Sequence, residues 1–377
     1  MREYKICQNC VMDTSDSKIS FDSEEVCDHC HDYHTHVKPY WHTDVRGRRA
    51  LEKIVTEIKR VGKGQDFDCI LGMSGGADSS YMLHKMVSDF GVRPLVFHVD
   101  GGWNSDVAVS NINSMIDKLG LDLFTEVINW NEMRDFQLSF FKSGLPFIDL
   151  PQDHAFMAVL YQFSEQYGIK FILNGGNYST ECVRNPLEYF YYGTDMPLIN
   201  DVIKRFGTVS LKTYPFSGIL RHKVYLRYVK GVRVIKPLNY MPYVKREAVR
   251  LLHGTYGWRD PGQKHFESRF TRFYEGYWLP RKFGFDTRRV QYSSLVLTGQ
   301  MSREEALVNL EKPALLEEEA RVEFSYIASK LEINESELRH YFDAPNKTHR
   351  DYQNQEWLFN LGAKALRFFG ADKSIKR

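Results

Sequence analysis

Apolar runs alternate with stretches of helical spacing across the first two thirds of the chain. Leu51, Ile54, Val55 and Ile58 recur at helical intervals and predict a helix that stops near Lys59-Arg60-Val61-Gly62. Cys69 to Leu71, following Phe67, predicts a short buried strand, and Tyr81, Met82, Leu83, Met86 and Val87 predict a helix soon after it. Further strands are predicted at Pro94–Asp100, Leu121–Val127, Lys170–Asn174 and Val232–Ile235. Helices are predicted between them: Asp106 to Leu119, about Asn131 to Ser143, Gln152 to Tyr167, and Val244 to Leu252 at the end. Strands alternating with helices imply parallel pairing. The expected fold class is therefore α/β, a doubly wound parallel sheet.

The break after the first strand carries the chemistry. It reads Ser74-Gly75-Gly76-Ala77-Asp78-Ser79-Ser80. A strand, a glycine turn and a helix start make an anion site: Gly75 and Gly76 let backbone approach a ligand, and the first helical turn offers free N–H groups. Ser74, Ser79 and Ser80 add hydroxyls. Asp78 is the odd member, since a carboxylate repels phosphate; it suits either a Mg²⁺ ligand or the helix N-cap. No Gly-Lys-Ser/Thr follows, so this is not a Walker loop, and Gly-x-Gly-x-x-Gly is absent too. The run resembles the Ser-Gly-Gly-x-Asp-Ser loop of the PP-loop ATP pyrophosphatases, which split ATP into AMP and pyrophosphate and place AMP on a carbonyl oxygen.

Other strand ends are polar as well. Asp100 closes the second strand, where open α/β sheets bind ligands. The fourth runs into Gly175-Gly176-Asn177-Tyr178-Ser179-Thr180-Glu181. If strands one and four are neighbours, the two loops face one ligand, with Asn177 on phosphate or ribose and Glu181 on Mg²⁺. Lys236 ends the last strand, where a cation meets phosphate. Residues 183–230 mix aromatic and basic side chains, which suits either a groove for a nucleotide-linked substrate or an ordinary helical insert. From Gly262 to Tyr274 a helix is predicted, with Lys264, Ser268 and Thr271 or Arg272 on one face and His265, Arg269 and Arg272 on the next. Ser302-Arg303-Glu304-Glu305 is a capping box, and the rest reads as helical.

Composition sets the frame. The chain has 377 residues, 14% aromatic, and a net charge of +2. That balance gives no electrostatic footprint for nucleic acid. With no apolar leader or long apolar span, a cytoplasmic protein without a membrane segment is expected. Cys7-Gln8-Asn9-Cys10 and Cys27-Asp28-His29-Cys30 have the spacing of a four-cysteine site, predicting structural Zn²⁺ held by Cys7, Cys10, Cys27 and Cys30. The nearby histidines 29, 31, 34, 36 and 42 are expected to be mostly solvated, one being a candidate substitute ligand. Three domains are expected: a zinc module over 1–44, the nucleotide domain over 45–255 and a helical substrate or partner region over 256–377.

Taken together, several runs resemble the N-acetyl sugar amidotransferases of bacterial surface-polysaccharide and nonulosonate pathways. They are the cysteine pairs, the Ser74–Ser79 loop, Lys264-His265-x-Glu267-Ser268-Arg269, Leu279-Pro280-Arg281-Lys282-Phe283-Gly284 and Gly299 to Ala306. The resemblance implies ATP and Mg²⁺ as reactants and an N-acetyl sugar, UDP-linked or free, whose acetamide oxygen is adenylated before ammonia displaces AMP to give an acetamidine. It places Asp78, Lys236, Lys264 and Arg269 in catalysis. It puts Ser74, Gly75, Gly76, Ser79, Ser80, Asp100, Gly175, Asn177 and Glu181 around ATP. Neither Cys69 nor Cys182 sits in a recognisable nucleophile elbow, so a separate glutaminase subunit is expected to supply ammonia, with a channel-forming partner similar to that of histidine biosynthesis. Two rivals stand beside this: a PP-loop tRNA-thiolating enzyme, and a non-catalytic zinc-ribbon scaffold that retains the fold.

Overall fold

The computed structural model describes residues 3–368. Five strands form one parallel sheet: β1 Cys69–Gly72, β2 Pro94–Asp100, β3 Leu123–Val127, β4 Phe171–Leu173 and β5 Arg233–Ile235, in the spatial order β3-β2-β1-β4-β5. Ile70 of β1 pairs with Leu95 on one side and Ile172 on the other. The chain thus winds outward from β1 to β3, then returns to the other side of β1. Side chains alternate across the sheet, so Cys69 and Leu71 face one apolar cluster and Ile70 faces the other. Helices Val45–Val61, Ala77–Ser88, Asp106–Leu119 and Lys245–Tyr256 cover the first face, through Leu51, Met82, Met115 and Leu252 among others. Helices Trp130–Ser143 and Leu150–Gln166 cover the second, through Phe136, Phe140 and Val159.

In the sheet and the helices that cover it, predicted and observed elements coincide within a few residues. β3 starts at Leu123 rather than Leu121, because Leu121 N–H closes the preceding helix onto Ile116 O. The closing helix runs on to Tyr256, where Gly257 takes the left-handed cap at φ +70°. Within 183–230, Met196–Phe206 is an amphipathic helix and Arg221–Val229 a wide-turned one. Among the described residues no helix is long and apolar enough to cross a membrane.

The core of the second face does not stop at the sheet. It continues into the C-terminal helices through Phe270, Phe273 and Trp278, which pack on Phe141 and Trp103, and into the cysteine segment through Met12, Ile19 and Tyr33. Helix Arg288–Leu297 joins these parts. Its Ser293 Oγ accepts from Val11 N–H, and Arg289 binds both Val11 O and Asp13. On another side, Ser294 Oγ accepts from Val183 N–H, just past helix Tyr178–Glu181. Arg303 donates to Cys7 O at 2.8 Å and to Cys10 O at 3.1 Å, tying the cysteine turns to the following helix. His29 departs from the solvated expectation: it is buried, with Nε2 2.9 Å from Asp16 Oδ2.

Hydrogen bonds from a charged donor contribute roughly 1.5–3 kcal/mol each way they are counted. Arg303→Ala is expected to free the cysteine turns locally: amide exchange at residues 7–12 should rise well above wild type while β1 and β2 keep their protection, as read by hydrogen-exchange mass spectrometry.

Candidate active site

The reversal of strand order lies between β1 and β4, and their carboxyl-end loops face each other there. Gly75 turns at φ +82°, and a Cβ on it would lie 2.7 Å from Ala108 O. A Cβ on Gly175 would lie 3.0 Å from Ser79 N. These glycines therefore let the loops close on each other and on helix Asp106–Leu119, a packing reason that adds to ligand approach. Gly76, not Asp78, is the N-cap of helix Ala77–Ser88, and no side chain caps it, so the first-turn N–H groups stay open to an anion. Of the two roles expected for Asp78, the N-cap is thus corrected.

Asp78 instead belongs to an ion-pair knot. Lys264 Nζ lies 2.9 Å from Asp78 Oδ2, 2.7 Å from Glu181 Oε1 and 3.1 Å from Thr180 Oγ1. Tyr243 donates its hydroxyl to Asp78 Oδ1. Burial alone would lower the Lys264 ammonium, but the two carboxylates outweigh it and hold its pKa above the usual lysine range. Burial would raise Asp78; Lys264 and Tyr243 outweigh that and keep it below the usual carboxylate range.

A cleft of about 580 Å³ opens from this knot. One end holds Ser74, Gly76, Ser79, Gly175, Glu181 and Lys264. The other end is acidic. Asp149, buried, accepts from Thr271 Oγ1 at 2.6 Å and from Gln152 Nε2 at 3.1 Å. Burial, with the Asp153 charge added, drives its carboxyl well up. Asp153 faces the lumen, yet protein surrounds it, and that burial raises it to about 6, with His265 pulling the other way. His265 Nδ1 lies 3.0 Å from Glu275 Oε1; burial opposes the imidazolium, but Glu275 outweighs it and raises His265 to about 9. Phe147, Phe156, Phe190 and Tyr274 wall this end.

The predicted residues divide. Ser74, Gly76, Asp78, Ser79, Gly175, Glu181 and Lys264 line the cleft. Lys236 sits just behind, its Nζ 3.0 Å from where a Gly176 Cβ would be. Ser80 is buried and accepts from Trp258 Nε1. Asp100 supports the loop after β2, accepting from Gly102 N–H and Asn104 Nδ2, and Asn104 in turn donates to His98 Nε2. Asn177 is corrected: it is buried, caps Thr180 N–H and donates to Gly175 O, so its polar atoms serve the loop itself. Arg269 is corrected as well: it pairs with buried Glu323 and lies 3.4 Å over the Tyr326 ring, clamping the C-terminal helices away from the cleft.

The helix predicted from Gly262 begins only at Arg269, capped by Ser268. His265 turns at φ +68°, and Ser105 N–H bonds to Glu267 O while Arg269 N–H bonds to Trp103 O. Lys264 and Ser268 therefore share no helical face; residues 264–267 form turns and the chain then bridges to the loop after β2 at Ser268, which is how Lys264, His265 and Glu267 reach the cleft. The acidic end, with Asp149, Gln152, Asp153, Thr271 and Glu275, went unread in the sequence. Its members come from two distant segments without fixed spacing, though the Asp149–Asp153 pair at one helix start was a usable signal.

Away from the cleft, the four cysteine sulfurs all lie within 4.8 Å of one another, with Cys7–Cys30 at 3.7 Å, Cys10–Cys27 at 3.6 Å and Cys27–Cys30 at 3.6 Å. A tetrahedron of sulfurs about 2.3 Å from one ion has edges of about 3.8 Å. The set fits one tetrahedral ion.

A Ser-Gly-Gly-x-Asp-Ser loop between β1 and its helix, at the switch point of a doubly wound parallel sheet, defines the PP-loop class of α/β fold. Residues 267–366 match the family model described as LPS biosynthesis protein WbpG-like, C-terminal domain. The uncharacterized protein MJ1599 of Methanocaldococcus jannaschii is 21% identical over 323 residues, 83% of this chain and 95% of that one. Among solved structures, the NH3-dependent NAD synthetase of Campylobacter jejuni is 15% identical over 55% of this chain and 83% of its own, with a TM-score of 0.28. The U34-tRNA thiolase NcsA of Methanococcus maripaludis, solved with its 4Fe-4S cluster, is 14% identical over 79% and 82%, with a TM-score of 0.32.

The charged His265 stabilises the fold most where it is protonated in both states, below its ordinary 6.5, and that contribution fades as pH rises through about 9. Urea midpoints of wild type and His265→Asn should accordingly converge between those pH values, wild type being the more stable at the acid side of the window.

Proposed function

We propose that the protein is an ATP-dependent amidotransferase that turns an N-acetyl group of a nucleotide-linked or free sugar into an acetamidino group, in cytoplasmic synthesis of bacterial surface polysaccharide such as lipopolysaccharide O-antigen, or of nonulosonates. The observation that carries this reading is the single cleft joining a phosphate-type loop to an acidic, aromatic-walled end. ATP phosphates suit the open first-turn N–H groups beside Ser74 and Ser79. Asp78 and Glu181 would hold the accompanying Mg²⁺, which would supply charge neutralisation of the phosphates; in the structure Lys264 balances them instead. A sugar suits the far end, where aromatic rings offer apolar faces and carboxyls accept from hydroxyls.

The chemistry balances as follows. The acetamide oxygen attacks the α-phosphorus, the P–O bond to pyrophosphate breaks, and an O-adenylated imidate forms. Ammonia adds to the imidate carbon, the C–O bond breaks, and the oxygen leaves with AMP. The amidine keeps a proton and is a cation, and one further proton is released. Asp153 takes that proton, and the acidic end favours the planar cation that carboxylates pair with well. Nothing here calls for a covalent protein nucleophile; positioning and charge placement supply the catalysis.

Thiolation of tRNA is the second reading, and the cysteines weigh against its two-cysteine form. None of the six lines the cleft. Cys69 is buried in β1, and burial pushes the Cys182 thiol up to about 12. Ammonia would come from a separate glutaminase subunit, delivered through a channel-forming partner.

Incubation with ATP, Mg²⁺, ammonium and a panel of UDP-linked and free di-N-acetyl sugars should yield AMP together with a sugar carrying NH in place of one amide oxygen, read by mass spectrometry. AMP formed only when tRNA is added would replace this reading with the second. We also infer that the four cysteines hold structural Zn²⁺. Metal analysis of the purified chain should give one zinc per protein, and Cys27→Ser should lose it along with much of the thermal stability.

A further inference from the structure

A second, smaller cavity of about 210 Å³ adjoins the acidic end of the cleft, and the two share Phe147, Asp153 and Met157 as a common wall. It has room for a few water-sized molecules, each needing about 30 Å³. Asp153, at the junction, is the one charged residue on its lining; the rest is apolar or neutral. His154 is fixed as the neutral tautomer by its partners, since Nδ1–H donates to Gly193 O at 2.6 Å and Nε2 accepts from Ser217 N–H at 3.1 Å. His222 Nε2 lies 2.6 Å from Tyr161 Oη, and either group can donate. Burial lowers both histidines, His222 to about 4. Two buried polar atoms here, Ser217 Oγ and His222 Nδ1, have no protein partner, although Ser217 is only 6% exposed. Buried polar atoms of that kind mark a place for a small hydrogen-bonding guest.

Resting on the amidotransferase reading, we propose that this side chamber is the antechamber of the nitrogen donor: it holds neutral ammonia and passes it by Met157 and Asp153 to the imidate carbon in the main cleft. Ammonia has one lone pair and three N–H donors, so it can pair with both the Ser217 hydroxyl and His222 Nδ1 at once. Ammonium lacks the lone pair, and the apolar or neutral side chains of the chamber away from Asp153 disfavour a bare cation.

The test narrows the chamber without touching the phosphate loop. Ala158 is fully buried on its wall, and Ala158→Leu fills the lumen. With ATP and sugar saturating and ammonium varied, the KM for ammonium should rise about tenfold or more, the KM for ATP should stay at the wild-type value, and more AMP should form per amidine made. Ser217→Ala, a smaller change that keeps the packing, should raise the ammonium KM severalfold if Ala158→Leu folds poorly. Wild-type ammonium kinetics in Ser217→Ala, and in any folded Ala158→Leu, would overturn the chamber while leaving the amidotransferase reading intact. A wild-type enzyme that turns over no sugar with ammonium would remove that reading and this one together.

Discussion

One buried ammonium holds the candidate site in register. Lys264 comes from the segment before the C-terminal helices, Asp78 from the first turn of helix Ala77–Ser88, and Glu181 with Thr180 from the short helix Tyr178–Glu181. The Lys264 segment has no helix or strand of its own at that point. Two carboxylates brought this close without a cation would repel each other and pay desolvation besides. The lysine removes both penalties, and its three donors find three oxygens. The loops must come close for this to work, and glycine permits it: the Gly175 backbone runs against Ser79 N, and Gly75 against Ala108 O.

The same knot explains why the distant cysteine turns matter to the cleft. Helix Arg288–Leu297 bonds to Val11 and Asp13 through Ser293 and Arg289, and to Val183 through Ser294. Thr298 and Gln300, just beyond it, donate to Ser179 O. Helix Tyr178–Glu181 is therefore braced from behind by a helix that is itself braced by the cysteine turns. A single tetrahedral ion among the four sulfurs would stiffen a segment with few apolar side chains, and that stiffness would reach Glu181 by two hydrogen-bonded steps.

Much of this was legible in the residues because it is local. A strand of four residues, a Ser/Gly turn and a helix start are contiguous, as are the cysteine pairs, and periodicity marks the sheet helices within a few residues. What was not legible depends on the third dimension. Asn177 looks like a ligand donor in the sequence, yet its amide is consumed by Thr180 N–H and Gly175 O. Arg269 stands next to Ser268 in a promising run, but one residue of helix turns it toward Glu323 and Tyr326. Helical periodicity also fails wherever a residue takes a left-handed φ, as His265 does, and no spacing rule anticipates that for a histidine. The pairing of 267–269 with the loop after β2 overrides the local pattern there.

The charges at the acidic end of the cleft are unequal. Glu275 is committed to His265, to Thr287 Oγ1 and to Gln291. Asp149 accepts from Thr271 and Gln152 while burial favours its neutral form. Asp153 stands at the junction of cleft and side chamber, with a carboxyl raised to about 6 by the protein around it. A group poised near neutrality, between a neutral passage and a phosphate site, can accept a proton at physiological pH and release it again. An ordinary surface carboxylate would be too weak a base for that, and a fully buried one would stay protonated. Asp153 lies between those limits, open to the lumen yet surrounded by protein, beside Phe147 and Met157, which also divide the two cavities. Packing and proton affinity at the junction are thus a single property of the fold.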